Sequence, residues 1–211
     1  MEQSQVPRTA PAEVRLALIE RAAELLARRE ALTLRGVVAG TGQSTMAVYT
    51  HFGGMAGLRS AVRQEGFTRL GTTLGDVPQT RDPVRDLAAL GAAYVTNALG
   101  HPDLYRAMFD PDAELADPGA AAATFTVLVG CAARARASGR FGARTDADAL
   151  ATRYWAAGHG LASLVLAGGL SRDDLDTHGA GVTLDLCVAA GDDPVRCRRS
   201  VRAGWTSIRP R

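Results

Sequence analysis

The Asp-Pro pairs at 82–83, 117–118 and 193–194 constrain this chain more than any other feature. An aspartate that satisfies the orphan N–H groups of a first turn, followed by a proline that needs none of its own, is a helix start. Thr145-Asp146-Ala147-Asp148 and Ser171-Arg172-Asp173-Asp174 add two more starts of capping-box form, with aspartate in the usual place of glutamate. The segments between them are mostly apolar on one face and are joined by short loops, and none shows the alternation of a strand. Alanine, leucine and arginine, which lose little free energy in a helix, dominate the composition, and aromatic residues are only 5%. With 46% hydrophobic residues the chain can fill a core. The expectation is an all-α fold of nine or ten helices.

The first 75 residues subdivide more finely. A helix from about Pro11 to Arg29 would carry Val14, Leu18, Ala22, Leu25 and Leu26 on one stripe. Thr33 caps a short second segment, Leu34 to Ala39, which Gly40-Thr41-Gly42 breaks. Ser44 is the next cap, opening Thr45 to Phe52; Gly53-Gly54 closes that element, and a longer helix follows to about Leu74. Two short helices joined by a tight glycine turn, behind a preceding helix, form the helix-turn-helix pattern. Val37, Val38, Val48 and Phe52 are then the apolar locks, and Ser44, Thr45, Ala47, Tyr49, Thr50 and His51 are the small or polar residues shown to a groove. A serine hydroxyl beside free N–H groups suits a phosphate oxygen. Tyr49 and His51 can donate to phosphates, Ala47 lets the helix approach closely, and Thr45 can meet a thymine methyl.

The stretch from Leu32 to Gly54, and above all Ser44-Thr-Met-Ala-Val-Tyr-Thr-His-Phe52, resembles the DNA-binding domain of the TetR family of repressors. The resemblance covers residues ~10–60. It implies phosphate contacts for Ser44, Tyr49 and His51 and positions facing or bordering the bases for Thr45, Met46, Ala47 and Thr50. It also implies a DNA contact for Arg35 and a capping role within reach of a phosphate for Thr33. Two positions depart from the family pattern. Met55 falls where many members carry a lysine anchor, and Gln43 stands where a small aliphatic residue usually packs.

From Asp82 onward the helices read as one antiparallel bundle. The division expected is residues 1–55 for the helix-turn-helix domain and 56–211 for a ligand-binding and dimerisation domain. Trp155-Ala-Ala-Gly158-His159-Gly160 puts Trp155 and His159 on one helical face, with glycines that admit a close neighbour. That stretch resembles a C-terminal domain of Trp-His-Gly type in one branch of TetR-like regulators. The resemblance implies a homodimer, with Leu161, Leu164, Val165, Leu175, Val182, Leu184 and Leu186 as candidates for the seam. A ligand pocket needs apolar walls and a few polar groups. Tyr94, Tyr105, Met108, Phe109, Phe125, Leu128, Trp155 and His159 are the side chains expected around one. Scarce charge in these helices leans toward an uncharged or lipophilic effector.

Every one of the 24 basic residues is arginine, a usage in keeping with a GC-rich bacterial genome. Residues 1–75 carry nine arginines against six glutamates, 76–191 nine against fourteen acids, and 192–211 six against two. A basic front on an acidic body suits a nucleic-acid-facing end. The chain opens without a signal-peptide pattern, and its longest evident apolar run, Leu161–Leu170, is half a membrane span, so a cytoplasmic protein is expected. Cys131, Cys187 and Cys197 have no metal-ligand spacing; the arginines beside Cys197 would favour its thiolate. The four histidines form no metal pattern, and no phosphate loop or nucleophile motif occurs, so neither an enzyme nor a cofactor is expected. The resulting expectation is a repressor that binds palindromic double-stranded operator DNA as a homodimer and is released by a small molecule. The alternative is a helical small-molecule-binding or interaction protein that has lost DNA binding, motivated by Met55.

Overall fold

The computed structural model of the chain describes residues 10–110 and 113–208. Among them run ten α-helices and no strand: α1 (Pro11–Ala27), α2 (Leu34–Val38), α3 (Thr45–Phe52), α4 (Met55–Gly75), α5 (Pro83–Gly100), α6 (Pro102–Ala107), α7 (Pro118–Ala137), α8 (Ala147–Leu166), α9 (Arg172–Ala189) and α10 (Pro194–Trp205), with a final 3₁₀ turn, Thr206–Ile208. The Asp-Pro pairs at 82–83, 117–118 and 193–194 do what their chemistry predicts. Asp82 accepts from the N–H groups of Val84 and Arg85, Asp117 from Gly119, and Asp193 from Arg196. Ser171 and Asp174 form the reciprocal capping box. At 145–148 the cap moves one residue on: Asp146 accepts from Ala149 N–H, because the Thr145 hydroxyl is drawn away to the Ala190 carbonyl at 3.0 Å.

The chain divides into two compact units. One holds the sequence through Gly66 together with Asp103–Ala116; the other holds Phe67–Pro102 and the sequence from Asp117 onward. The first is built on fully buried Leu18, Ile19 and Ala22 of α1, Val37 of α2, Val48 of α3, and Leu58 and Val62 of α4. Leu104 and Ala107 of α6 join this core. Two arginines of α4 fasten the segment that follows α6. Arg59 pairs with Asp110 at 3.2 Å, and Arg63 donates to the carbonyls of Met108, at 3.1 Å, and Ala113.

In the second unit α5 is buried along nearly its whole length, with α7, α8, α9 and α10 packed around it. Helix α10 lies so close to α5 that a Cβ on Gly204 would collide with the Arg85 carbonyl; one on Gly179 of α9 would collide with the Trp205 ring. The Tyr154 hydroxyl of α8 donates to the Leu87 carbonyl of α5 at 3.0 Å. Cys187 and Cys197 are both fully buried here, so Cys197 points into the unit while the arginines beside it, Arg198 and Arg199, point outward. A hydrogen bond donated by Cys187 to Cys197, then burial, raise the Cys187 thiol, and burial pushes Cys131 up to about 11. The longest apolar helix is α7 rather than Leu161–Leu170: by length and composition it alone among the described helices qualifies as a membrane span, and it packs against α5 and α8.

A polar network centred on Arg140 is buried in this unit. Arg140 grips Asp192 through two hydrogen bonds, at 2.8 and 2.6 Å, and reaches Asp82 at 2.6 Å and Ser200 at 3.1 Å. Ser200 in turn donates to Asp82 at 2.6 Å. Burial alone would raise both carboxyls, yet the hydrogen bonds of Arg140, Ser200 and Arg196 hold Asp82 and Asp192 below the ordinary carboxylate value of 3.8. Replacing Arg140 with Met leaves buried Asp192 with only the more exposed Arg196 as a charge partner, and urea unfolding should show a loss of about 3 kcal/mol. Because both carboxyls are depressed in the folded state, their contribution is present at neutral pH and fades as acid carries the protein below 3.8. Arg140→Met should flatten that acid limb.

Candidate functional site

The helix-turn-helix is stapled from within. Gly40 and Gly42 both take left-handed backbone, at φ 79° and 70°, and Thr41 between them donates to the Val38 carbonyl at 2.9 Å while accepting from Gln43 N–H at 3.3 Å. Thr33 caps α2 by accepting from Gly36 N–H at 3.1 Å, so its oxygen is engaged and its hydroxyl proton is what it can offer outward. Gly53, at φ 71°, ends α3 with its N–H on the Tyr49 carbonyl at 2.9 Å.

This frame decides which residues of α3 face solvent. Val48 is fully buried, and Ala47, Phe52 and Met55 pack partly buried against the same core. Met46 and Tyr49 stand out at 64% and 51% exposure, the largest such values on the helix, with Ser44 and Thr50 exposed beside them. Ser44 sits at the N-cap, but its hydroxyl makes no capping bond, so it is open to an external acceptor or donor. Thr50 donates back to the Met46 carbonyl at 3.0 Å. Thr45 and His51 are half-buried, and the His51 ring lies 6.1 Å from that of Phe52. Arg35, on α2, is exposed. Of the nine residues expected at DNA, the structure gathers Ser44, Met46, Tyr49 and Thr50 on the outward face of α3, while Ala47 turns toward the core.

Three contributors were not read from the sequence. Thr41 is the turn staple, signalled only by a hydroxyl between two glycines. Arg15 of α1 lies over the Phe52 ring at 5.4 Å, a cation–π contact that joins residues 37 positions apart and leaves no local signal. Gly57 is the third: a Cβ there would meet the Phe52 carbonyl oxygen well inside van der Waals contact. The α3–α4 corner is therefore closed to any residue but glycine.

The residues expected around a ligand fall into two groups. Tyr105, Met108 and Phe109 belong to the first unit, where Met108 is fully buried and the Tyr105 and Phe109 rings meet edge-on at 5.4 Å. Tyr94, Phe125, Leu128, Trp155 and His159 belong to the second. There the Tyr94 hydroxyl lies 3.4 Å from His159 Nδ1, Trp155 is 6.4 Å from both His159 and Phe125, and Leu128 is buried nearby on α7. Burial lowers the His159 pKa, favouring the neutral ring. Of the seam candidates, Leu175 is 3% exposed and faces its own unit's core, whereas Leu164 is 50% exposed and Leu161, Val165, Val182, Leu184 and Leu186 are half-buried.

Residues 87–183 match the family model of the tetracyclin repressor-like C-terminal domain. A protein of unknown function from Rhodococcus sp. RHA1 superposes with a TM-score of 0.72 at 27% identity, covering 90% of this chain and all of that one. A TetR regulator from Streptomyces fradiae superposes with a TM-score of 0.64 at 21% identity, covering 95% and 100%. A gamma-butyrolactone receptor, described as ArpA-like, gives 0.70 at 19% identity, covering 92% and 96%. The chain has the fold of TetR-family regulators, and its residues 87–183 carry the match to their C-terminal domain. No curated protein matches the chain in sequence.

The corner glycine gives a direct check on how this chain holds α3. Gly57→Ala should destabilise the first unit by about 1–3 kcal/mol, since backbone rather than a flexible side chain opposes the new methyl. Gly130→Ala on α7 meets nothing within 4 Å and should instead be neutral or stabilising. Thermal unfolding of the two variants beside the parent separates these outcomes.

Proposed function

We propose that this chain is a ligand-responsive repressor that binds a palindromic operator as a homodimer and is released by an uncharged small molecule. The observation that carries the reading is the display of α3: Val48 is sealed in the core while Ser44, Met46, Tyr49 and Thr50 face outward on a helix held by glycine corners. Ser44, Tyr49, His51, Arg35 and Thr33 then serve the phosphates. Met46 and Thr50, with Thr45 and Ala47 at closest approach, serve the bases. The half-exposed leucines and valines of α8 and α9 supply a face for a second copy. Two copies would set two reading helices one DNA turn apart, roughly 34–36 Å.

Tyr94, Phe125, Leu128, Trp155 and His159 offer aromatic walls with one neutral polar pair and no formal charge, a match for an uncharged ligand bearing a hydroxyl or carbonyl. A structural neighbour is a gamma-butyrolactone receptor, which supports a small neutral effector. Release follows only if the ligand prefers the state that does not fit DNA.

The test is selection of random duplex DNA by the full chain, followed by affinity measurements across salt. An enriched palindrome bound far more tightly than random DNA is the expected result. Tyr49→Ala and His51→Ala should weaken operator and random DNA alike, by about fivefold each, since a phosphate hydrogen bond is worth about 1 kcal/mol. Thr45→Ala should instead change the selected sequence. The second reading, a ligand-binding protein without DNA binding, draws on Met55, an uncharged residue packed on the first unit's core. It would be favoured by selection that enriches no sequence and leaves only weak, salt-sensitive binding.

Because burial depresses His159, acid charges the unfolded chain before the folded one, and stability falls as pH drops below the ordinary value of 6.5. His159→Asn should remove that part of the pH dependence in thermal unfolding, and weaken the effector once one is found.

A further inference from the structure

A groove of about 630 Å³ opens on the second unit between the start of α8 and the end of α9. Its floor is apolar, formed by Leu150, Leu186, Ala189 and Ala190, and Arg144 and Arg153 stand at its rim with Thr145 and Asp146. None of these residues belongs to the Tyr94–His159 cluster. We propose that this groove is a second small-molecule site, taking a monocarboxylate with a short apolar body.

The walls are fixed before any ligand arrives. Gly142 N–H and the Thr145 hydroxyl both donate to the Ala190 carbonyl, at 2.8 and 3.0 Å, tying the loop before α8 to the end of α9. Arg136 donates to the Thr145 carbonyl at 3.1 Å and holds the same loop from the other side. Directly behind both strands of chain lies the paired Arg140–Asp192 contact, one residue before Phe141 and two after Ala190. Gly191, at φ 107°, has no room for a Cβ against Gly142 N. A site so anchored loses little entropy when it is filled.

The rim selects the charge. Arg140, Arg134, Arg196, Arg59 and Arg21 all have carboxylate partners, whereas Arg144 and Arg153 are exposed and make no ion pair or side-chain hydrogen bond. Two guanidinium forks suit the planar, bidentate geometry of a carboxylate. Asp146 at the same rim keeps its carboxylate on Ala149 N–H, at 3.1 Å, and leaves a balance of one positive charge. That balance favours a monoanion over a dianion such as phosphate. The apolar floor gives the hydrocarbon end somewhere to lie.

The probes are hexanoate, hexan-1-ol and inorganic phosphate, each titrated into the full chain by calorimetry. Hexanoate should bind saturably, and hexan-1-ol and phosphate should each bind at least about tenfold more weakly. An Arg144→Gln/Arg153→Gln variant, altered only at exposed side chains, should keep its thermal midpoint and lose at least about tenfold in hexanoate affinity. The proposal fails if hexanoate does not saturate, if the double variant binds it unchanged, or if phosphate binds as tightly. It fails equally if Leu186→Arg alters the oligomeric state while hexanoate leaves the parent untouched, which would make the groove an interface between copies. Leu186 also belongs to the face proposed for a second copy, so hexanoate binding tests this site and DNA selection tests the repressor reading.

Discussion

The bidentate grip of Arg140 on Asp192 is the contact on which the second unit depends. A guanidinium only 8% exposed is costly to bury, and it is tolerable here because two carboxylates and a hydroxyl meet it with near-ideal geometry. Its partners come from the start of α5, the loop after α9 and the middle of α10. One side chain therefore sets where three separated stretches of chain must converge. Had the same positions been apolar, they would have packed as well, but with less to specify which helix end meets which.

A comparable economy holds the reading helix in the first unit. Val48 points inward, and the remaining side chains of α3 are displayed as a consequence of that single burial. The glycines at 53, 54 and 57 then turn the chain into α4 without a side chain in the way. Arg15 closes the arrangement from α1 by lying over Phe52. The face that meets DNA in the proposed function is thus positioned by residues that never touch it. The same is true of the groove beside α8, whose walls are pinned from behind by the Arg140 network.

Much of this was legible in the sequence, because the signals were local. Caps, prolines and glycine breaks act within a turn, so Thr33, Asp82, Asp117, Ser171 and Asp193 mark their helices correctly. The inward stripe of α1 and the lock of Val37 on Val48 follow from periodicity alone. What escaped was non-local. The cap at 145–148 slipped by one residue because Thr145 has a partner 45 positions away. Leu175 was taken for an interface residue because a leucine pattern does not say which of two cores it faces. Cys197 was read from its arginine neighbours along the chain, although its side chain points the opposite way.

The sequence by itself determined the helices, their order and the helix-turn-helix pattern. These rest on short-range hydrogen bonding and on a 3.6-residue period that any isolated segment already contains. Only the tertiary structure decided that Asp103–Ala116 folds with the first unit, held there by Arg59 and Arg63. It alone placed Tyr94 against His159 across 65 residues and brought Arg140 to Asp192 across 52. Those pairings depend on chain closure around a common core, and no local pattern encodes which distant partner a buried polar group will find.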